Sequence, residues 1–193
     1  LGRVTTYAYT GSSTDWFANV FTATGNEQLT AASWWTVEES SSYELQVYLN
    51  PSPAPVGGAA PVVSQSGALT HAGYHTVALQ TPVALTPGTV FSVVVKLTNT
   101  GLTARVPLEA RIAGYSSAAA AHPGESFVGF DSAHFRDVTE VWPNENANVC
   151  IKAFTKVRDL VIDSVTPTTM TPEAGELFDV AVVVRNRTSA DAG

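Results

Sequence analysis

The chain has a single cysteine, Cys150, among its 193 residues, so it cannot form an internal disulfide. This excludes a disulfide-stapled scaffold but does not fix the redox compartment. No apolar run approaches the roughly 18 residues of a membrane helix, so we expect no membrane insertion. The sequence begins at Leu1 without a methionine and shows no signal peptide. We interpret it as a segment of a longer precursor, in which the missing signal says nothing about export.

Charge is also scarce. Charged residues make up 14% of the chain, against roughly 25% in an average soluble domain. The ten Lys and Arg residues are scattered and the net charge is −7, so no basic patch can neutralise phosphates and nucleic acid is not an expected partner. Ser, Thr, Ala and Val take the place of charge, as is usual in extracellular β modules. We therefore expect an extracellular or cell-surface location.

Short runs of alternating apolar and polar residues, separated by Gly, Pro, Asn and Ser, dominate the pattern and indicate β-strands. In Tyr43–Leu49 the alternation places Tyr43, Leu45, Val47 and Leu49 on one face and Glu44, Gln46 and Tyr48 on the other. The expected strands are Val4–Thr10, Trp16–Thr24, Leu29–Val37, Tyr43–Leu49, Val62–Ser66, Gly73–Leu79, Val90–Thr98, Leu108–Tyr115, Ser126–Phe130 and Asn148–Thr155. About ten strands of this kind predict an all-β, jelly-roll-like two-sheet β-sandwich.

Three further expectations follow from the pattern. In Val90–Thr98 we expect alternate apolar residues to face the core, while Ser92 and Lys96 face water. The segment Pro51–Pro61 is rich in Pro, Gly and Ala and predicts a loop. Of Trp16, Trp34 and Trp35, which lie in strand patterns, we expect at least two to be core residues.

The segment 124–155 carries a family resemblance. It opens with Gly-Glu-Ser-Phe at Gly124–Phe127 and closes with Asn-Val-Cys-Ile-Lys-Ala-Phe-Thr at Asn148–Thr155. Upstream stretches that also match are ANVFTA (18–23), SYELQVY (42–48), AGYHTVAL (72–79), LTPGTVFSVVVKL (85–97) and GYSS (114–117). Residues 6–155 thus resemble the lectin-like domain found next to papain-family cysteine peptidases in secreted bacterial and archaeal proteins. The Asp-Gly-x-x-Trp-x-Asp turn of that family is altered, because Ser132 stands in place of Gly and Phe135 in place of Trp.

This resemblance implies a lectin-like β-sandwich domain over residues 1–156. It implies a non-catalytic binding module, accessory to a secreted cysteine peptidase or surface protein, with a glycan or cell-wall polysaccharide and its own peptidase domain as partners. The alternative, from a different class, is a structural spacer or adhesion module that makes protein–protein contacts and has no sugar site.

The residue pattern of the sequence changes after Lys156. Residues 159–193 resemble the opening of a cell-adhesion-related immunoglobulin-like domain, with strands at Leu160–Val165 and Leu177–Asn186. A complete domain of that type needs about 100 residues, so residues 157–193 are expected to be an incomplete immunoglobulin-like segment. Two strands form at most a marginal ribbon in water, and we expect self-association through residues 159–186.

Aromatic and amide side chains form the candidate ligand site. A sugar presents an apolar C–H face and a ring of hydroxyls, and aromatic rings beside Asn, Asp or His groups complement it. The candidate residues are Phe130, Asp131, His134, Asp137, Trp142, Asn144 and Asn146. The alternative is that Trp142 closes the end of the sandwich and the asparagines are turn residues. Exposure of both Phe130 and Trp142 beside a groove favours sugar, whereas their burial favours a scaffold.

The sequence gives less support to a calcium site or to a reactive cysteine. Asp131 and Asp137, with Glu140, have ligand types that suit Ca²⁺, but no complete calcium loop is present and capping of turns is the commoner role of such residues. Cys150 lies in the apolar run Val149–Ile151 with none of the groups that stabilise a thiolate, so we expect a buried, inert thiol. We therefore predict no cofactor, no metal and no enzymatic activity, the peptidase domain lying outside this chain.

Overall fold

The computed structural model describes residues 5–7, 12–58, 60–99, 101, 106–112, 114, 120–143, 146–157, 160–167, 175 and 179–186. The chain divides into two compact units, Leu1–Lys156 and Val157–Gly193. The first unit contains nearly all of the described strands. Its elements are β1 (Thr5–Tyr7), β2 (Thr14–Thr22), β3 (Glu27–Thr36), β4 (Ser41–Leu49), β5 (Val63–Leu69), β6 (Gly73–Leu85), β7 (Val90–Thr98), β8 (Val106–Glu109), β9 (Ser126–Gly129), β10 (Phe135–Asp137), α1 (Val138–Val141), β11 (Asn148–Val149) and β12 (Lys152–Val157).

These strands form one large sheet and two small ones. The large sheet has six strands in the order β10-β9-β2-β7-β4-β5, and the small sheets have the orders β1-β8-β11 and β12-β3-β6. The pairs of β7 with β2 and with β4 are antiparallel, as is the pair β3–β6. The predicted all-β sandwich is confirmed.

The main core lies between the six-stranded sheet and the two small sheets. Alternate residues of the large sheet, among them Phe17, Leu45 and Val93, pack against Trp34 of β3 and Leu108 of β8. All five are nearly or fully buried. Burying a side chain of this size stabilises the fold by about 1.5–3 kcal/mol, so this layer dominates the stability of the unit. Trp34 and Trp16 are both buried, which confirms that at least two of the tryptophans in strands are core residues.

A second, smaller core covers the opposite side of the six-stranded sheet, which we call the outer face. Its members are Trp16, Ala18, Tyr48, Val94 and Phe127, with Val20, Ala54, Val56 and Phe135 packed against them. Ala54 and Val56 belong to the Pro-rich loop, residues 51–61, which is a loop as predicted. Residues of β7 are therefore buried on both faces of the sheet.

The position of Ser92 corrects the sequence-based expectation. Ser92 was expected to face water, but it is fully buried and its hydroxyl donates a 2.5 Å hydrogen bond to the carbonyl oxygen of Pro55. The reason is that the Pro-rich loop folds over the outer face. Within the loop, Ser52 N donates to Gly57 O at 3.0 Å, and a Cβ at Gly57 would lie 2.2 Å from Pro53 N. Only glycine permits this close approach of the loop to itself.

The expected strand Asn148–Thr155 is in fact two strands, β11 and β12, which belong to different sheets. The break falls at Cys150 and Ile151. Cys150 N donates to Pro107 O, and Ile151 N donates to Val149 O, so the backbone changes partners at these two residues. The chain crosses here from one small sheet to the other.

The second unit is described by two strands, β13 (Leu160–Pro167) and β14 (Val180–Asn186), paired antiparallel with a bulge between Ile162 and Ser164. The apolar side chains of Ile162, Val165, Val182 and Val184 are more than half exposed. The immunoglobulin-like identity of residues 157–193 stays a prediction, as does the division into two named domains. Within the described residues, no helix has the length and apolarity needed to cross a membrane.

Candidate ligand-binding groove

A row of side chains crosses the outer face of the six-stranded sheet. Trp16 lies opposite Gly129 on one side and opposite Lys96 on the other, and Lys96 lies opposite Glu44. Gly129 in turn lies opposite Phe135. Trp16 and Phe135 meet edge to face, with ring centroids 6.5 Å apart and planes at 87°. This contact spans Gly129, at which a Cβ would lie 3.0 Å from the Phe135 ring and 2.8 Å from the carbonyl oxygen of His134.

Charge and hydrogen bonds continue the row along β4. Lys96 Nζ lies 5.5 Å from the centroid of the Trp16 ring and 3.8 Å from Glu44 Oε2. Gln46 Nε2 donates to Glu44 Oε1 at 2.5 Å, and Tyr48 Oη donates to Gln46 Oε1 at 2.8 Å. Burial, with a smaller effect of the negative Glu44, raises the pKa of Tyr48, so its phenol keeps its proton at neutral pH.

An open groove of about 680 Å³ lies beside this row, and we call it the groove. Gln46, Tyr48 and Phe135 of the sheet line it. One wall is the Pro-rich loop, and the other is formed by Ser132 and Ala133 of the turn between β9 and β10. Its size lies within the range of small-molecule sites, and ring faces beside an amide and hydroxyls are typical of such sites.

Three of the residues predicted from the sequence lie together on that turn. Phe130 is 45% exposed and stacks on His134, with centroids 5.1 Å apart and planes at 9°. Asp131 Oδ1 accepts from the backbone N–H groups of Ala133 and His134, each at 2.8 Å, and Asp131 Oδ2 lies 2.8 Å from His134 Nδ1. These hydrogen bonds lower the pKa of Asp131, and the bond from Ala133 N has the largest effect. The carboxylate therefore stays ionised and shapes the wall of the groove.

Asp137 ends β10 and caps the start of α1, whereas Trp142 and Asn146 follow α1. Asp137 Oδ1 caps α1 by accepting from Thr139 N at 2.8 Å, and Asp137 Oδ2 accepts from Gly124 N. Trp142 is half-buried and packs against the main core, and Asn146 takes a left-handed φ of 47°. The predicted Asn144 lies outside the described residues. Phe130 and Trp142 are thus not exposed to the same extent, and the ligand role of this group stays a prediction.

The structure also fixes the setting of the acidic residues and of the cysteine. Asp131 and Asp137 both cap backbone N–H groups, the commoner role of acidic turn residues. In the part of the chain that the structure describes, no three His, Cys, Asp or Glu residues come together as metal ligands. Cys150 is buried, as expected, and burial, then the negative charge of Glu109, raises its pKa to about 11.

Sequence reasoning missed the residues of the sheet and of the loop that line the groove. Gln46 and Tyr48 were assigned to the correct face of β4, and Phe135 was noted near the aromatic cluster and as a departure from a family turn, but it was not chosen as a site residue. The signal that could have found them is the alternation of β4, which places an amide and an aromatic ring side by side on a face away from the main core.

The fold is that of an all-β sandwich, and comparison with known proteins gives its class. The family model for the Lectin like domain matches residues 1–155, and the chain belongs to this family. It is similar to the structure of a cysteine-to-alanine variant of the clostridial cysteine protease Cwp84 after propeptide cleavage, with a TM-score of 0.62 and 25% identity. That match covers 80% of this chain and 38% of the other.

A second similar structure contains the cysteine protease and lectin-like domains of Cwp84, described as a surface layer associated protein of Clostridium difficile. Its TM-score is 0.59 at 25% identity, and the match covers 79% of this chain and 36% of that one. This chain therefore spans less than two fifths of the length of either structure. No curated protein sequence matches it.

Proposed function

We propose that this chain is a non-catalytic, extracellular binding module and that the groove holds a glycan. The observation that carries the proposal is the lining of the groove, where the rings of Tyr48 and Phe135 lie beside the amide of Gln46. The partly exposed ring of Phe135 covers the apolar C–H face of a sugar, the largely buried Tyr48 borders it, and the amide and hydroxyl groups bond the sugar hydroxyls. The exposed stack of Phe130 on His134, on the adjoining turn, extends the aromatic surface.

The charge of the lining favours a neutral glycan. Every residue that lines the groove in the described part of the chain has an uncharged side chain. Glu44 and Lys96, in the neighbouring row, form an ion pair with each other. An acidic polysaccharide would find no cation in the groove, so binding of a neutral glycan is expected to depend little on salt concentration.

The relatives supply the context of the proposal. Both similar structures are of a cysteine protease, and one contains protease and lectin-like domains of a surface layer associated protein. We infer that this chain likewise accompanies a secreted cysteine peptidase or a related surface protein. In that role it holds its parent protein on carbohydrate or cell-wall material, with the peptidase chemistry located elsewhere in the parent.

A glycan array and titration with neutral cell-wall polysaccharide test the proposal. Ala133 is exposed on the wall of the groove, so Ala133→Arg should block the groove and leave the fold intact. Ala72→Arg, at an exposed position in another turn, is the matched control. We expect a Kd in the high micromolar to millimolar range, about 4–6 kcal/mol of binding, abolished by Ala133→Arg alone. Equal binding by both variants would place the glycan elsewhere, and no binding to any glycan would refute the proposal.

The second candidate is a spacer or adhesion module that contacts protein. The packing of Trp142 against the main core favours it, because a side chain that packs in this way supports the sandwich as a scaffold requires. A pull-down with the peptidase domain of the parent protein tests it. Retention of that domain by both wild type and Ala133→Arg, with no glycan bound by either, would favour the spacer.

A further inference from the structure

A second cavity, of about 340 Å³, opens at the place where the chain crosses between the two small sheets. It is lined by Trp35, Tyr74, Glu109, Cys150 and Lys152. These residues come from β3, β6, β8, the crossing itself and β12. None of them lines the groove, so this cavity is a separate feature of the molecule.

Two aromatic rings form the apolar part of the cavity. Trp35 and Tyr74 lie directly opposite each other in the β3–β6 pair, and their ring centroids are 5.5 Å apart with planes at 54°. Tyr74 is 45% exposed although it is held in place by a hydrogen bond between its hydroxyl and that of Ser33. A ring that is exposed and yet fixed is suited to binding, because little side-chain freedom is lost when a ligand covers it.

One cation and one anion also line the cavity. Glu109 and Lys152 are both partly buried, and neither forms an ion pair with another residue in the described part of the chain. Both charges act electrostatically on Cys150 in the cavity lining, since Glu109 raises the pKa of its thiol and Lys152 lowers it. Partly desolvated charges without partners are costly, and a ligand with matching charges would relieve that cost.

We propose that this cavity binds a small zwitterionic group with an apolar body. The ammonium of the ligand pairs with Glu109, its carboxylate pairs with Lys152, and its body covers the ring of Tyr74. The volume is near the lower end of ligand sites, which suits a very short peptide with free termini or one amino-sugar acid of a glycan. A neutral sugar fits less well, because it would leave both charges covered but unpaired.

The test titrates the full chain with two zwitterions, glycyl-leucine and 2-amino-2-deoxyglucuronic acid. Their matched uncharged probes are N-acetyl-glycyl-leucinamide and N-acetylglucosamine. Binding is followed by tryptophan fluorescence and by the rate at which Cys150, the one thiol of the chain, reacts with a thiol reagent. We expect saturable binding of a zwitterion, with slower thiol labelling, and at least roughly tenfold weaker binding of its uncharged probe. Which zwitterion binds tells whether the source is a peptide or a glycan.

Variants separate the two charges. Glu109→Gln and Lys152→Met should each weaken binding by roughly tenfold to 100-fold, as expected for a hydrogen bond to a charged group. Lys156→Met, at an exposed position on the same strand as Lys152, is the matched control and should bind as wild type does. Equal binding of charged and uncharged probes, wild-type binding by Lys152→Met, or no saturation by either zwitterion up to about 10 mM would overturn the proposal. Ala133→Arg should leave this binding unchanged, so the cavity and the groove are tested independently.

Discussion

Lys96 holds its ammonium nitrogen 5.5 Å from the centre of the Trp16 ring, on the outer face of the large sheet. Trp16 in turn meets Phe135 edge to face, and Phe135 lines the groove. The cation therefore supports, through one intervening ring, the aromatic surface that a ligand would contact. The same ammonium lies 3.8 Å from Glu44, so the row carries no net charge toward the groove.

The first prediction concerns this contact. Lys96→Ala should lower the free energy of unfolding by about 1 kcal/mol, because it removes a cation–π contact worth about 0.5–1 kcal/mol and the packing of the lysine stem. The ion pair with Glu44 adds little, since its partners are about one third exposed. Urea denaturation measures the change, with Lys156→Ala, at an exposed position on β12, as control. Equal losses in the two variants would contradict a specific role for Lys96.

The second prediction concerns Gly129. In Gly129→Ala the new methyl group would lie 2.8 Å from the carbonyl oxygen of His134 and 3.0 Å from the Phe135 ring. We expect a loss of about 1–3 kcal/mol in unfolding free energy and weaker glycan binding, because the wall of the groove must shift. Gly25→Ala is the control, since nothing lies within 4 Å of its new methyl group. Unchanged stability of Gly129→Ala would show that the turn adapts without strain.

The third prediction separates the two aromatic residues on which the sequence-based site depended. Trp142 packs against the main core, so Trp142→Ala should cost about 2–3 kcal/mol of stability, somewhat less than truncation of a fully buried ring. Phe130 is exposed, and Phe130→Ala should change stability by less than about 0.5 kcal/mol while weakening glycan binding. Thermal unfolding and glycan titration of both variants decide the matter. Full glycan affinity in Phe130→Ala would exclude that ring from the site.

The fourth prediction concerns pH. Burial raises the pKa of Cys150 from 9.0 to about 11, so the unfolded chain loses the thiol proton first as pH rises. Stability from this group is complete below pH 9 and is lost between pH 9 and about 11, by about 2–3 kcal/mol. Wild type should therefore lose more stability over that range than Cys150→Ala, measured by denaturation at each pH. Parallel pH profiles would contradict a buried thiol. Native labelling by thiol reagents at neutral pH should be slow for the same reason.

The fifth prediction concerns the β13–β14 ribbon, whose valines are about half exposed. A two-stranded ribbon is marginal alone in water, and its open edges and apolar side chains favour pairing with a second copy. Light scattering should find a dimer of the full chain and a monomer after the double substitution Val182→Lys and Val184→Lys. Thr166→Lys, at an exposed polar position of β13, is the control. A wild-type chain that stays monomeric at high concentration would refute self-association through this segment.

The strands could be predicted because their alternation is a local property. The faces of β4 were assigned correctly, since Leu45 and Val47 are in the main core. Ser92 was misplaced because its burial depends on a loop about 40 residues away in the chain, and no period-two pattern reports such a contact. The break at Cys150 was missed for the same reason: an apolar run looks alike whether it stays in one sheet or crosses to another.

The groove could not be predicted from the sequence, although one turn beside it could. Phe130, Asp131 and His134 were selected as aromatic and polar residues of one connection, and they lie on the same turn as Ser132 and Ala133, which line the groove. The lining itself combines strand residues, a turn and a distant loop, and sequence order gives no measure of their proximity. Tyr48 is an example, because its ring is a core residue of the outer face and its hydroxyl belongs to the polar row.

The Pro-rich loop gives the large sheet a cover on its second side, and this has a consequence for local opening. β7 lies between β2 and β4, with Val93 buried on one face and Val94 on the other. Its amides should therefore exchange with solvent deuterium only through the largest unfolding events of the first unit. The loop is held over the outer face by the Ser92–Pro55 hydrogen bond and by the packing of Ala54 and Val56, and it should open in smaller excursions. The hydrogen-exchange protection of the loop amides would then change with occupancy of the groove, whereas the protection of the β7 amides would stay constant.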